Sequence, residues 1–271
     1  VTNNVDGLTL HMLFAREAER GVKDGVAFVG QSGGLLGHFQ RATDGRGIPL
    51  SYVGHPLADV IPLEPDTAAA RTLLGLAAGP VIALLPGSRV SEVTRHARLM
   101  LDAAVRIRQR HPDAQFVLPA ASEAAARLVR QAVQELSLPL HILDGQSHAA
   151  LAACDVALVA SGTATLEAAL FKKPMVITYR VPALTAYLMR KKALLPWIGL
   201  PNILARDFVV PERVQEAATP INLAADALAW LDDAPRQRAA IETFRAMHLS
   251  LRQDASARIA EAVQPYLVGG E

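Results

Sequence analysis

Short apolar runs alternate with longer helical patterns from about residue 80 onward, and this alternation limits the fold more strongly than any other feature of the chain. Strands buried on both faces of a parallel sheet read as short, unbroken runs of Val, Ile and Leu. Helical patterns separate the runs, so the sequence predicts an α/β fold: a Rossmann-like parallel sheet of right-handed βαβ units, with helices on both faces. The predicted strands are VIALLP (81–86), QFVLP (115–119), LHIL (140–143), DVALVA (155–160) and PMVITY (174–179).

Beyond residue 180 the pattern becomes mainly helical, which predicts a C-terminal helical segment. Near the other end, residues 25–42 read as a strand, a glycine-rich turn and a helix, with no room for a completed domain before the main pattern begins. We therefore divide the chain into an atypical segment, 1–46, interpreted as a fusion or a fragment, and an α/β domain with C-terminal helices, 47–271. The predicted C-terminal helices are PALTAYLMRKKALL (182–195), VPERVQEA (210–217), NLAADALAWLDD (222–233) and an amphipathic stretch over 235–266.

Composition argues against several classes of function. The formal net charge is +1, which gives no sign of a nucleic-acid partner. Cys154 is the single cysteine, so an intrachain disulfide is excluded and a reducing compartment fits. The eight histidines lack metal-site spacing, and no Walker A or complete G-x-G-x-x-G sequence occurs, so we expect neither a metal ion nor a cofactor. The first residues lack a signal-peptide pattern, which predicts a cytoplasmic protein.

LLPGSRVSE is the first of two loops whose residues suit an anion. Gly87 lets the backbone approach a ligand. Ser88 or Ser91 can cap the helix that follows, with Glu92 in its first turn. The Arg89 guanidinium can reach a phosphate or stabilise a departing diphosphate. A capped helix start with a surface arginine explains the same residues, because such turns are common.

SGTATLE is the second such loop, and it follows the predicted strand DVALVA. Ser161, Gly162 and Thr163 lead into a helix N-terminus, where unpaired N–H groups and the helix dipole favour an anion. Hydroxyl groups of Thr163 or Thr165 add donors, and Glu167 can accept hydrogen bonds from sugar hydroxyls. The alternative is an ordinary Ser/Thr cap whose glutamate complements the dipole. Because both loops follow strands of one sheet, their anion sites are expected at the same edge of it.

ALTAYLMRKKALLPWIGLPN (183–202) combines Leu, Tyr, Met and Trp with Arg190, Lys191 and Lys192. This mixture suits a helix at a membrane surface, or equally a core helix with a cationic end. Asn202, which follows a proline, is read as a turn residue or as a ligand contact. Both pairs of alternatives stay open on local sequence alone.

Four stretches occur in an order typical of one enzyme family. They are YVGHPLADVIPLEPD (52–66), ALLPGSRVSEV (83–93), DVALVASGTATLEAALFKKPMVITYR (155–180) and LPNILA (200–205). Through them the chain from about residue 47 to residue 267 resembles the lipid-A-disaccharide synthases, bacterial glycosyltransferases of the GT-B type. The resemblance implies that this chain holds the C-terminal half of a GT-B fold, the half that binds the nucleotide.

The resemblance also implies a reaction and a set of contacts. UDP-diacylglucosamine would donate 2,3-diacylglucosamine to 2,3-diacylglucosamine 1-phosphate, with inversion and without a metal ion, to give the β-1,6-linked precursor of lipid A. The expected setting is the cytoplasm, peripherally at the inner membrane, with a homo-oligomer as an open option. The implied roles are diphosphate contacts at Gly87, Ser88 and Arg89, a second phosphate-binding turn at Ser161, Gly162 and Thr163, a ribose contact at Glu167, and a donor or transition-state contact at Asn202.

The N-terminal end departs from the family's pattern. The family's N-terminal half begins with a Gly-Glu-x-Ser-Gly-Asp motif and supplies acceptor contacts and a base, and this chain contains neither that motif nor the length for that domain. We therefore expect UDP binding to persist and turnover to be very low or absent. Residues 25–42 resemble a short piece of the NDP-forming acyl-CoA synthetases instead. Two further functions stay open: a noncatalytic UDP-binding or assembly module, and a CoA-binding fragment built around Gln31, Ser32, Gly33 and Gly34.

Overall fold

The computed structural model describes residues 28–30, 50–134, 136, 138–183, 185–187 and 195–267. The chain divides into two units. The larger unit runs from Leu63 to Arg245, and the smaller one takes the residues up to Pro62 and those from Ala246 onward. Every candidate residue of the predicted nucleotide site belongs to the larger unit.

Parallel strands form the framework of both units. They are β1 (Phe28–Gly30), β2 (Leu50–Tyr52), β3 (Val81–Leu85), β4 (Gln115–Ala120), β5 (Leu140–Asp144), β6 (Val156–Ala160), β7 (Met175–Tyr179) and β8 (Glu212–Val214). β1 pairs with β2 in the smaller unit, and the other strands form one six-stranded sheet in the order β5-β4-β3-β6-β7-β8. All five predicted strands are confirmed, and β8 completes the sheet.

Helices connect the strands and cover the sheet. They are α1 (Pro56–Val60), α2 (Thr67–Leu73), α3 (Val90–Arg110), α4 (Glu123–Val133), α5 (Ser147–Ala153), α6 (Thr163–Leu170), α7 (Leu200–Ala205), α8 (Pro220–Asp232), α9 (Ala234–Leu251) and α10 (Ala255–Leu267). The crossovers through α3 and α4 advance one way across the sheet, whereas those through α5 and α6 advance the other way. Right-handed connections then place the two pairs on opposite faces. The predicted Rossmann-like fold, with its C-terminal helical segment, is confirmed.

Apolar side chains fill the space between sheet and helices. Every residue of β3 and of β6 is buried, as their unbroken apolar runs predict. On α8, Trp230 is 1% exposed and its indole N–H donates to the Met175 carbonyl at 2.9 Å. This bond satisfies the polar atom of the largest buried side chain and attaches α8 to β7.

The segment VPERVQEA is a strand and a 3-10 turn, so its prediction as a helix is wrong. Val210 and Val214 are four residues apart, which imitates the apolar spacing of a helix. β7 offers an open edge instead, and the Ile177 N–H donates to the Pro211 carbonyl at 2.9 Å. The Thr178 hydroxyl also donates to the Arg213 carbonyl, at 3.0 Å. Tertiary pairing with β7 therefore overrides the local pattern.

The predicted continuous amphipathic stretch over 235–266 is interrupted between α9 and α10. Asp254 has a left-handed backbone with φ 52°, which a helix interior does not accept. Its own N–H and that of Ala255 donate to the Asp59 carboxylate, at 3.0 and 2.8 Å. The Asp254 carboxylate accepts from the Ala257 N–H at 3.3 Å and so caps α10.

Some predictions fall largely outside the described residues. Of the run over 25–42, only β1 is described, and most of 188–195 is not. In the preceding stretch Ala183 and residues 185–187 are helical, as predicted. None of the helices in the described ranges combines the length and the apolar character that crossing a membrane requires.

Candidate functional site

The order in which the chain adds strands to the sheet reverses between β3 and β6. From β3 the chain proceeds to β4 and β5 on one side, then crosses to β6, β7 and β8 on the other. β3 and β6 are hydrogen-bonded neighbours, with Leu85 opposite Val159 near their carboxyl ends. In open α/β sheets, ligands bind outside the carboxyl ends of the strands at such a switch point. The topology therefore places the two predicted anion loops at neighbouring strand ends.

Gly87 gives the first loop its shape. Its φ is 115°, a region that side chains rarely adopt. A Cβ added to this residue would lie 2.5 Å from both the Cβ and the Oε2 of Glu92. Only glycine therefore allows α3 to begin this close to the end of β3.

Glu92 organises the backbone of the same loop. Its Oε2 accepts from the N–H groups of Ser88, at 3.0 Å, and Arg89, at 3.2 Å, while its Oε1 accepts from the Arg89 guanidinium at 3.1 Å. The prediction that Ser88 or Ser91 caps the helix is wrong, because Arg89 holds the N-cap position. A guanidinium has no acceptor atom, so Glu92 alone supplies the cap.

The side chains of Ser88 and Arg89 face solvent, although their backbone N–H groups are bonded to Glu92. Ser88 is exposed, and the Arg89 side chain is 59% exposed against 19% for Glu92. An ion pair this exposed contributes little to stability, so the guanidinium can turn toward a ligand at small cost. The first loop thus offers a cation and a hydroxyl, while the amides of Ser88 and Arg89 are already paired.

The second loop is a tight turn between β6 and α6. Gly162 has φ 154° and ψ −163°, a conformation that is almost restricted to glycine. The Ser161 N–H donates to the Thr178 carbonyl at 2.9 Å, and its hydroxyl donates to the Ile198 carbonyl at 3.1 Å. Thr163 is exposed and begins α6, so this turn presents a helix N-terminus to solvent.

Thr165 is not available as the predicted ligand donor. It is fully buried, and its hydroxyl donates to the Gly162 carbonyl at 2.7 Å. The same oxygen accepts from the Leu200 N–H at 3.3 Å. Thr165 therefore stabilises the turn and attaches α7 to α6.

Glu167 lies in the second turn of α6, with a side chain that is 19% exposed. Its Oε1 is 3.5 Å from Nε2 of His148, near the start of α5. The His148 ring also contacts Phe171, with centroids 5.2 Å apart. Sequence reasoning did not find His148, because residues on two separate helices leave no common spacing in the sequence.

Asn202 lies inside the protein rather than at its surface. It is fully buried in α7, and its amide donates to the Val210 carbonyl at 2.9 Å and to Glu212 Oε1 at 2.8 Å. Its Oδ1 accepts from the Val210 N–H at 3.0 Å. With its amide group engaged in this way, the geometry favours neither a turn residue nor a direct ligand contact.

His96 is a further residue at this edge that sequence reasoning missed. Its imidazole is fully buried in α3 and is bonded to the Pro86 carbonyl and the Arg180 N–H. Burial is the main cause that lowers its pKa, against smaller opposing effects that include the Pro86 carbonyl and Glu92. An isolated histidine in a helical pattern gives no signal of such contacts in the sequence.

Metal-ligating residues do not cluster near these loops. Among the residues that the structure describes, no three His, Cys, Asp or Glu side chains come together as a metal site. Cys154 is fully buried beside the amino end of β6, the edge opposite the two loops, and burial raises the pKa of its thiol to about 12.

Comparisons with known proteins agree on one family. Residues 40–264 match the family model described as lipid-A-disaccharide synthetase. The lipid-A-disaccharide synthase of Thiobacillus denitrificans is 74% identical over 221 residues, which make up 82% of this chain and 59% of the relative. That of Pseudomonas aeruginosa is 53% identical over 220 residues, 80% of this chain and 57% of the relative.

A solved structure shares the fold. Anabaena HepE, in complex with UDP and glucose, aligns with a TM-score of 0.55 at 19% identity, covering 89% of this chain and 62% of its own. At that identity the likeness shows the fold alone. The chain spans about three fifths of the length of the curated relatives that it matches. The resemblance of residues 25–42 to acyl-CoA synthetases gains no support from these comparisons.

Proposed function

The chain belongs to the lipid-A-disaccharide synthetase family, and on that premise we propose that it carries the nucleotide-binding half of a hexosyltransferase. The proposed reaction transfers 2,3-diacylglucosamine from UDP to the 6-hydroxyl of 2,3-diacylglucosamine 1-phosphate. The bond between the anomeric carbon and the UDP diphosphate breaks, and a β-1,6 glycosidic bond forms with inversion. The hydroxyl proton passes to a base, and UDP departs.

The observation that carries this proposal is the pairing of β3 with β6 at the switch point of the sheet. It makes neighbours of the two strands that lead into the Arg89 loop and into α6. A guanidinium and a helix N-terminus each attract anions. Two such features at neighbouring strand ends suit a ligand with two linked phosphates, as in UDP.

Arg89 acts on the leaving group in this proposal. Negative charge grows on the diphosphate as the glycosidic bond breaks, and a fixed positive group there lowers the barrier. The exposed Arg89 and Ser88 side chains contact one phosphate, because Glu92 already occupies their backbone N–H groups. The turn of Ser161, Gly162 and Thr163 contacts the other.

Glu167 binds the ribose. A carboxylate accepts hydrogen bonds from both neighbouring hydroxyls of a ribose, and Glu167 lies one turn beyond the phosphate-binding N-terminus of α6. Its partly exposed side chain leaves it accessible to a ligand.

Asn202 contributes indirectly. It donates to Glu212, whose carboxylate also accepts the N–H groups of Ile198 and Gly199, each at 2.9 Å. The Ile198 carbonyl in turn accepts the hydroxyl of Ser161. We therefore assign Asn202 the role of supporting the second phosphate turn, in place of direct contact with the donor or transition state.

The general base is assigned to none of these residues. The acceptor hydroxyl must lose a proton as it attacks, so a base has to lie within hydrogen-bond reach of it. We place that base, together with the acceptor contacts, in the part of the relatives' length that this chain does not span. The chain alone is therefore expected to bind UDP but to turn over very slowly or not at all.

A membrane surface is the proposed source of the acylated substrates. Leu195 is 46% exposed and Phe208 is 59% exposed, and the Trp197 ring meets Phe208 edge-on at 6.1 Å. Arg206, between Trp197 and Phe208 in the sequence, is also exposed. Aromatic and basic side chains of this kind suit the headgroup region of an anionic bilayer. Peripheral contact with the cytoplasmic face of the inner membrane is the setting we propose, and a homo-oligomer stays a prediction.

A noncatalytic UDP-binding or assembly module is the second candidate. The residues assigned above supply nucleotide contacts and no base, which is all that such a role needs. The two candidates differ in turnover. Disaccharide formed from UDP-diacylglucosamine and the acceptor by the purified chain would select the enzyme, and UDP binding without product would select the module.

Calorimetric titration with UDP tests the proposed nucleotide site directly. Arg89→Ala and Glu167→Gln should each weaken binding about tenfold, which corresponds to the loss of one charge-assisted hydrogen bond. Arg98→Ala is the matched control, because Arg98 is a similarly exposed arginine on α3 that pairs with Asp102. If all three variants bind UDP as the wild type does, the site lies elsewhere.

A further inference from the structure

His96 joins the ends of two strands that do not touch each other. β6 lies between β3 and β7, and the last ladder pairs are Leu85 with Val159 and Ala160 with Thr178. Beyond these pairs β7 continues for one residue, through the pairing of Tyr179 with Val214 of β8. The imidazole reaches across this gap, with Nδ1 3.2 Å from the Pro86 carbonyl oxygen and Nε2 2.9 Å from the Arg180 nitrogen.

The two bonds begin where the strands stop. Pro86 is the first residue after β3, and Arg180 is the first residue after β7. His96 therefore adds one hydrogen-bonded connection beyond the carboxyl ends of these strands. The turn of residues 161–163 leaves the sheet from β6, between the two connected backbones, and the loop of residues 87–89 continues directly from Pro86.

The geometry selects one form of the ring. The Arg180 N–H is a donor, so Nε2 must accept and carry no proton. Nδ1 then carries the proton and donates it to the Pro86 carbonyl. The Tyr179 ring stacks on the imidazole with centroids 5.7 Å apart, and the side chain is fully buried. Both ring nitrogens are therefore used.

We propose that His96 is a positioning residue that fixes the separation of the two phosphate-binding loops. This inference rests on the proposed UDP site and goes beyond it by naming the group that sets the site's width. A diphosphate has a nearly fixed distance between its phosphates, so both loops can bind it only at a matching separation. Small errors in such positioning are costly, since misplacement of about 1 Å can lower the rate about a hundredfold.

Three substitutions of His96 test its hydrogen bonds to Pro86 and Arg180 one at a time and together. Asn places its amide nitrogen near the position of Nδ1 and can keep the bond to Pro86, whereas Gln places its amide oxygen near Nε2 and can keep the bond to Arg180. Leu keeps the apolar volume and removes both. His248→Asn is the matched control, because His248 is also fully buried and its Nε2 lies 2.8 Å from a backbone carbonyl, that of Ala58 in the smaller unit.

The first measurement is a UDP titration of the whole 271-residue chain. If His96 sets the separation, neither single bond suffices. The dissociation constant should then rise about tenfold in His96→Leu and at least threefold in His96→Asn and His96→Gln, while His248→Asn stays within twofold of the wild type. A general loss of stability would weaken the control as well. Wild-type affinity in all three folded His96 variants would overturn the proposal.

A ligand-free measurement keeps the inference independent of the UDP site. In amide NMR spectra, His96→Leu should move the signals of Gly87 and Gly162 together and speed hydrogen exchange at Arg180, and His248→Asn should do neither. If the wild type fails to bind millimolar UDP, the proposed nucleotide site of this chain fails, and these signals alone decide the role of His96. Unchanged Gly87 and Gly162 signals in His96→Leu would then refute it.

Discussion

Replacing Gly87 with alanine tests whether the first loop depends on the close approach of Glu92. Two penalties add at this position. The backbone has φ 115°, where a residue with a Cβ loses about 1–2 kcal/mol or more. The new Cβ would also lie 2.5 Å from two atoms of Glu92, one of them the rigidly placed Cβ. Overpacking of this kind costs about 1–3 kcal/mol. The free energy of unfolding should therefore fall by about 2–5 kcal/mol.

Gly145→Ala provides the matched control for this substitution. Gly145 has φ 64°, and a Cβ there would meet nothing within 4 Å, so only the backbone penalty of about 1–2 kcal/mol applies. Urea denaturation of both variants gives the two free energies of unfolding. The expected difference between them is about 1–3 kcal/mol, with Gly87→Ala the less stable. Equal losses would show that the contact with Glu92 does not constrain the loop, and the description of that loop would have to be abandoned.

Three further predictions concern buried polar groups. Asn202→Ala should lower the free energy of unfolding in urea by about 2–4 kcal/mol, because it leaves the backbone groups of Val210 unpaired, and a loss below 1 kcal/mol would contradict that network. Burial lowers the pKa of His96, so below pH 6.5 the unfolded chain binds protons that the folded chain does not. Stability should then fall as the pH drops from about 6.5 toward that lowered pKa, and an equally steep fall in His96→Leu would assign the effect to other groups. Cys154 should stay unmodified by a thiol reagent at pH 8 until denaturant is added, since its thiol is buried with a pKa raised to about 12, and rapid labelling of the native chain would refute that burial.

The sequence alone determined five strands of the sheet and pointed to the region of the proposed site. Buried parallel strands need unbroken apolar runs whatever their neighbours are, so β3 and β6 could be read directly from VIALL and VALVA. The rule that ligands lie at the carboxyl ends of strands then pointed to the loops at Gly87 and Gly162. These inferences depend on local composition and on chain order, and both are explicit in the sequence.

The tertiary structure decided which strands are neighbours and which side chains meet. Local sequence did not show that β8 pairs with β7, because Val210 and Val214 have the spacing of a helix until an open strand edge competes for their backbone. Local sequence also did not show whether the Asn202 amide is exposed or hydrogen-bonded inside the protein. Its partners Val210 and Glu212 come close to it only on folding. The bridge made by His96 is the clearest case. Its two partners are 10 and 84 residues away, and no spacing rule connects groups that meet only after the strands have assembled.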